Sequence, residues 1–324
     1  MCTTFSYRPD DHYFGRNLDI EYSYNEQVVI TPRHRLYHLR NGADFRTTYA
    51  LIGIATVMEG TPLYYEAANE AGLAMAGLNF PGNAVYSDPK EGMDNIAPFE
   101  LIPWILGQAK TVAEVRVLLS NLNLSNIPFS PAVPLAPLHY MFSDKKESLV
   151  MEPTAEGLRI YDNPYDVMTN NPPFPFHLAN MHNYLNLSPK NGANQFSNRY
   201  DLQNYCVGMG AIGLPGDASS ASRFVRTAFH LANSHSEDTE LDHVGQVFHI
   251  LDSVAMLKGC TITDVGKDDL TLYSCCINVD QGIFYYKTYN NSQITAVRMH
   301  NENLDGDHLI VFPLRTTQAV HYSN

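Results

Sequence analysis

Apolar residues along the chain gather in short runs at the front, recur every three to four positions in two later blocks, and gather in runs again near the end. Strands are predicted at Thr3 to Tyr7, Gln27 to Thr31, Ala50 to Met58, Leu63 to Ala67 and Leu73 to Leu78. Several of these are apolar on both faces and bounded by turn residues, the pattern of strands in a sheet covered on both sides. Helical spacing begins at about Pro98 to Gly107. Thr111-Val-Ala-Glu114 is then a capping-box signature ahead of the apolar positions Val115, Leu118, Leu119 and Leu122. Beyond a proline-rich loop lie short strands at His139 to Ser143, Ser148 to Glu152 and Leu158 to Tyr161. A second helical block covers about Arg223 to Asn233 and Leu241 to Met256. Val244, Val247, Phe248, Leu251 and Val254 mark one of its faces. Four closing strands, Leu270 to Asn278, Gly282 to Thr288, Ile294 to Met299 and Leu309 to Leu314, read as an antiparallel meander.

This succession of strands and helices licenses the α+β class. It suggests two mainly antiparallel sheets stacked face to face with helices outside, a four-layer αββα sandwich, although periodicity alone stops at the class. No glycine/serine-rich or charged linker interrupts the order and no repeat is present, so a single domain over residues 1–324 is expected. Hydrophobic residues make up 44% and charged residues 17% of the chain, a balance that builds a large core. With 21 basic and 34 acidic side chains the net charge is −13, which argues against nucleic acid as a partner. No run approaches the ~18 apolar residues that span a bilayer. The first residues lack the basic start and apolar stretch of an export signal.

Five cysteines, Cys2, Cys206, Cys260, Cys275 and Cys276, are an odd number at irregular spacing, which fits neither a disulfide framework nor a zinc site. A cytoplasmic location is the simplest expectation. The thirteen histidines contain no metal-binding motif, and the glycines at Gly208, Gly210 and Gly213 lack the rest of a nucleotide fingerprint. Neither a metal nor a cofactor is expected.

Cys2 is the most informative residue. Loss of Met1 would leave a thiol and an α-amine on one residue, and an α-amine with a pKa near ~8 can take the thiol proton at neutral pH. The plain alternative is a cysteine that happens to follow an initiator methionine. In Phe14-Gly-Arg-Asn-Leu-Asp19, Arg16 could lower the pKa of a nearby thiol and Asp19 could hold the amine. A surface pair in a turn would look the same. Asparagines in Gly77-Leu-Asn-Phe-Pro-Gly82 and Val167-Met-Thr-Asn-Asn-Pro172 could donate to an oxyanion, and ordinary turn chemistry explains them equally well. Arg223 is either an anion binder or a residue on a helix surface.

Taken together, Met1-Cys-Thr3, Tyr13-Phe-Gly-Arg-Asn-Leu-Asp19, Asn69-Glu-Ala-Gly-Leu73, Gly77 to Gly82, Thr169-Asn-Asn-Pro172, Leu214-Pro-Gly-Asp217 with Ser222-Arg-Phe-Val-Arg226, and Asn303-Leu-Asp-Gly306 resemble the choloylglycine hydrolase family, in order along the whole chain. The resemblance implies an N-terminal nucleophile hydrolase with an αββα sandwich. It also implies activity on glycine- or taurine-conjugated bile salts or on penicillin V, no cofactor, and usually a homotetramer. It makes Cys2 the nucleophile, Arg16 and Asp19 the groups that poise its thiol and amine, Asn79 and Asn170 the oxyanion and amide-positioning asparagines, and Arg223 a second arginine near the thiol. It places substrate walls at Ile20 to Gln27, Met58 to Tyr65 and Ile127 to Leu138. Asn79, where penicillin V acylases tend to carry tyrosine, leans toward bile salts. Tyr205-Cys-Val-Gly208 is a hint toward glycine conjugates. A steroid-binding protein without catalysis on the same scaffold is the competing class.

Overall fold

The computed structural model describes residues 1–324. A six-stranded sheet runs, edge to edge, Val167–Met168, Cys2–Tyr7, Tyr13–Ile20, Leu270–Asn278, Ile283–Thr288 and Asn291–Arg298. An eight-stranded sheet runs Gly157–Asp162, Ser148–Thr154, Leu138–Ser143, Ala74–Asn79, Thr61–Asn69, Leu51–Met58, Gln27–Thr31 and Ile310–Pro313. Neighbouring strands within both are antiparallel.

The alternation of side chains along each strand explains why the sheets stack. Val28, Ile30, Ile52, Ile54 and Met141 join the core between the sheets, whereas Val29, Leu51, Ala55, Tyr140 and Phe142 join a second core under helices Leu101–Leu106 and Val112–Leu119. Helices Ser220–Asn233 and Glu240–Asp252 cover the outer face of the six-stranded sheet. Gly15 permits that close approach, since a Cβ there would meet Val247 at 3.0 Å and Phe5 at 3.1 Å. The result is an αββα sandwich. No helix is long and apolar enough to cross a membrane.

Thr111 caps its helix by accepting the Glu114 N–H at 3.2 Å, while the Glu114 carboxylate takes the N–H of Lys110 at 2.8 Å, one residue outside the standard box. Leu122 lies beyond that helix, in a short strand, Leu122–Leu124. The closing strands do not form one meander. Ile310–Pro313 crosses to the edge of the other sheet and pairs with Gln27–Thr31. Phe14 to Asp19, which could have been a surface turn, is a central strand whose residues are all buried. Its polar side chains mask the apolar alternation that would have announced it.

Candidate active site

The site forms where the first two strands pair. Cys2 lies opposite Leu18, Thr3 opposite Asn17 and Thr4 opposite Arg16. Cys2, Arg16 and Leu18 therefore point to the face shared with the other sheet, and Thr3, Asn17 and Asp19 to the face under the helices. Cys2 is buried, and its sulfur lies 3.5 Å from Nη2 of Arg16. Arg16 is 1% exposed, and its Nη1 donates to the carbonyl of Tyr65 at 2.5 Å and to Oε2 of Glu66 at 2.7 Å. Burial alone would lower the pKa of this guanidinium, but Cys2, Glu66 and Tyr273 outweigh it and hold the pKa above the ordinary value.

On the helix face, Oδ1 of Asp19 accepts from the Thr271 hydroxyl at 2.5 Å, and Oδ2 is buried without a partner. Burial pushes this carboxyl up against the opposing pull of Arg223 and the N-terminal amine. Met1 continues the first strand: its amine donates to the Asp19 carbonyl at 2.6 Å and to Asp269 at 3.1 Å, and its carbonyl accepts from Asp19 N at 2.9 Å. With Met1 attached, the Cys2 nitrogen is an amide N–H, and it donates to Oδ1 of Asn170 at 2.8 Å.

Arg223, on helix Ser220–Asn233, is neither a surface residue nor open to an outside anion, being 0% exposed. It donates to Cys2 O at 2.5 Å, Thr3 Oγ1 at 2.6 Å, Asn170 Oδ1 at 2.8 Å and Ala218 O at 3.0 Å. Burial lowers its pKa, against the attraction of Asp19 and Cys2. Its helix is capped by Ser219, and Asp217 accepts from Ser219 N and Ser222 Oγ.

Nδ2 of Asn170 donates to the carbonyl of Asn79 at 2.8 Å, so one of its two hydrogens already has a partner. The Asn79 side chain is exposed and makes no bond within the chain. The strand register places Leu138, the end of the third expected wall segment, opposite Asn79. The other two wall segments are tied together, since Thr56 Oγ1 donates to Tyr24 O at 3.1 Å and bonds Tyr65 OH at 2.9 Å. A cavity of about 400 Å³ is lined by Ser23, Asn25, Glu26 and Gln27 together with Leu270 and Tyr273. Cys2 is not among its lining residues.

Sequence reasoning missed the supporting residues. Glu66 is a charged residue inside an apolar strand, Leu63 to Ala67, and that was its signal. His139 stacks on Phe80 at 4.4 Å and bonds the Thr169 carbonyl at 2.9 Å, so it braces both asparagine segments; Glu152 bonds its other nitrogen at 3.2 Å. Several motif residues have structural tasks instead. Asn69 turns the chain by accepting from Ala71 N and Leu73 N and ties down Leu106 O and Ala109 O, and Glu70 pairs with Arg33. No group of three or more histidine, cysteine, aspartate or glutamate residues could hold a metal ion.

The chain matches the profile of the linear amide C-N hydrolases, choloylglycine hydrolase family, over residues 2–312. It is 51% identical to a bile salt hydrolase/transferase of Lactiplantibacillus plantarum, covering 100% of this chain and 99% of that protein. The crystal structure of a variant of conjugated bile acid hydrolase from Clostridium perfringens superimposes with a TM-score of 0.92 at 37% identity, covering 100% of both chains. Penicillin V acylase from Agrobacterium tumefaciens, at a TM-score of 0.76 and 21% identity over 99% of this chain and 94% of that one, shares the fold. By the family match over residues 2–312 and the full-length relative, the chain belongs to the linear amide C-N hydrolases of the choloylglycine hydrolase family.

Proposed function

We propose that the chain hydrolyses the amide bond joining a bile acid to glycine or taurine, with Cys2 as nucleophile once Met1 is removed. The observation that carries this reading is the placement of Cys2, whose sulfur faces Arg16 at 3.5 Å and whose nitrogen faces Asn170 at 2.8 Å. The names of relatives such as the L. plantarum bile salt hydrolase/transferase supply the substrate class.

The freed α-amine takes the thiol proton, and the sulfur attacks the substrate carbonyl. Arg16 stabilises negative charge on the sulfur, while Asn170 Oδ1 and the unpartnered Oδ2 of Asp19 receive the resulting ammonium. The oxyanion of the tetrahedral intermediate takes donors from the free Asn79 amide and the second hydrogen of Asn170 Nδ2. Collapse breaks the C–N bond as the ammonium returns its proton to the leaving nitrogen. Water, deprotonated by the same amine, then attacks the thioester to give the free bile acid and restore the thiol. Arg223 keeps the Cys2 carbonyl and Asn170 in place throughout.

We propose further that the chain works as one unit over its full length in the cytoplasm and assembles as a homotetramer. Leu185 and Val207, 86% and 92% exposed, favour a covering partner, as do the exposed rings of Phe196 and Tyr205. Asn79 favours bile salts over penicillin V, and Tyr205-Cys-Val-Gly208 favours glycine conjugates. The test is amine release from glycocholate, taurocholate and penicillin V by the processed chain and by Cys2→Ala. Turnover of glycocholate that vanishes in Cys2→Ala is expected. Saturable binding without product by the processed chain would instead favour a steroid carrier.

A further inference from the structure

Two irregularities in the sheets converge behind the nucleophile. In the strand Thr61–Asn69 the register slips between Ile54/Glu66 and Ala55/Tyr64, so Tyr65 has no partner in the ladder. Such a bulge re-aims its neighbours, and here the carbonyl of Tyr65 is left to accept from Arg16 Nη1 at 2.5 Å. Gly53 allows it, because a Cβ there would lie 2.1 Å from the Glu66 carbonyl. In Leu270–Asn278 a second slip, between Thr271 and Tyr273, lets the Tyr273 hydroxyl reach both Glu66 oxygens, at 2.9 and 3.1 Å.

Glu66 itself is 0% exposed. It receives Arg16 Nη1 at 2.7 Å from the strand Tyr13–Ile20, and Tyr273 OH with Cys275 Sγ at 3.6 Å from Leu270–Asn278. Beyond Arg16 stands Cys2 on the first strand. The guanidinium is thus fixed along one edge by Glu66 and the Tyr65 carbonyl, and it turns the other edge, through Nη2, toward the sulfur.

We propose that Glu66 is a positioning residue for the nucleophile: it fixes the Arg16 guanidinium against the Cys2 sulfur, and its own negative charge sets how strongly Arg16 favours the thiolate. The inference deepens the reading that Cys2 is the nucleophile and rests on it. Burial pushes the Glu66 carboxyl up, and Arg16 pulls it down. The buried pair accordingly stands or falls together, since a buried carboxylate that loses its cation takes up a proton.

The test is the pH dependence of iodoacetamide alkylation at Cys2 in the processed chain, followed on the Cys2 peptide by mass spectrometry because Cys206 and Cys260 are exposed. In Glu66→Gln, which keeps an oxygen for Arg16 but removes the charge, the midpoint is expected to fall by roughly half a pH unit or more. Glu66→Asp, which keeps the charge one methylene farther back, should shift it the same way by less. It carries the test alone if Glu66→Gln does not fold. In an Arg16→Gln background the unpaired Glu66 is neutral, so adding Glu66→Gln should move nothing. An unchanged midpoint in the single variants, or the same fall without Arg16, overturns the proposal. Failure of the wild-type chain to release glycine from glycocholate would overturn the proposed substrate and leave the alkylation result standing.

Discussion

Arg16 and Asp19 stand on opposite faces of one strand. Their spacing of three residues, an odd number, sends Arg16 between the sheets to the sulfur of Cys2 and Asp19 under the helices, where its carboxyl takes the Thr271 hydroxyl. The two groups that the sequence offers as a pair therefore act on different atoms, and their substitutions should fail in different ways.

Replacing Arg16 with glutamine leaves Glu66 buried without its cation. Removing one partner of a buried ion pair costs about 3–5 kcal/mol. It also takes away the donor facing the sulfur, and kcat/KM for glycocholate is expected to fall about 10²-fold or more. Lysine at this position reaches one partner but not both, because it lacks the planar fork. Urea unfolding and steady-state kinetics on the two variants check this. Full activity in a destabilised Arg16→Gln would reduce Arg16 to a structural role.

Replacing Asp19 with asparagine keeps an oxygen for Thr271, so the loss of stability should be small. The ammonium loses its counter-charge, which weakens proton delivery to the leaving nitrogen, a step worth about 10²–10⁴-fold in positioned acid–base catalysis. The expected result is a kcat lowered within that range. The midpoint of Cys2 alkylation should move less than in Arg16→Gln. Equal movement in both variants would contradict the division of labour between the two faces.

Asp217 gives a pH dependence whose sign can be worked out. Hydrogen bonds from Ser219 and Ser222 hold its pKa down to about 2, against about 3.9 in the unfolded chain. A depressed carboxyl stabilises the fold fully above the unfolded value, and that contribution is lost as pH falls through the folded value. The group is exposed, so solvent screening keeps it under about 1 kcal/mol. Wild type should melt slightly above Asp217→Asn at pH 5, with the gap in Tm narrowing toward pH 3. A gap independent of pH would mean that the carboxylate charge contributes nothing to this helix start.

Much of the architecture was legible because burial on both sheet faces leaves continuous apolar strands, and Ala50 to Met58 or Leu270 to Asn278 need no other signal. Phe14 to Asp19 was opaque for the opposite reason: a strand that carries the site holds Arg16, Asn17 and Asp19, whose partners come from distant segments. The crossing of Ile310–Pro313 to the other sheet is a long-range pairing with no local signature. The candidate site residues that lie together, Cys2 with Arg16 and Asn170 with Arg223, were offered by motifs. What surrounds them was not, because the grip of Glu66 on Arg16 depends on two register slips that side-chain periodicity does not encode. Charge misled as well. Arg223 reads from the sequence as an anion binder or a helix-surface residue, but its guanidinium is buried and bonded within the chain.

The segment from Leu185 to Ile212 sets the last prediction. Leu185, Phe196, Tyr205 and Val207 stand in solvent, and only short 3₁₀ turns punctuate the stretch between the helices Phe174–Met181 and Ser220–Asn233. An apolar surface of this kind costs hydration free energy of roughly 25 cal/mol per Å² left uncovered, which a second copy of the chain would recover. The processed protein should therefore scatter light as an assembly of about four times 36.3 kDa. Leu185→Asp combined with Val207→Asp, which places charges in the proposed contact, should shift it to smaller species with the melting of the single chain little changed. A wild-type mass of one chain would remove the assembly proposal. Persistence of the tetramer in the double variant would move the contact to another face.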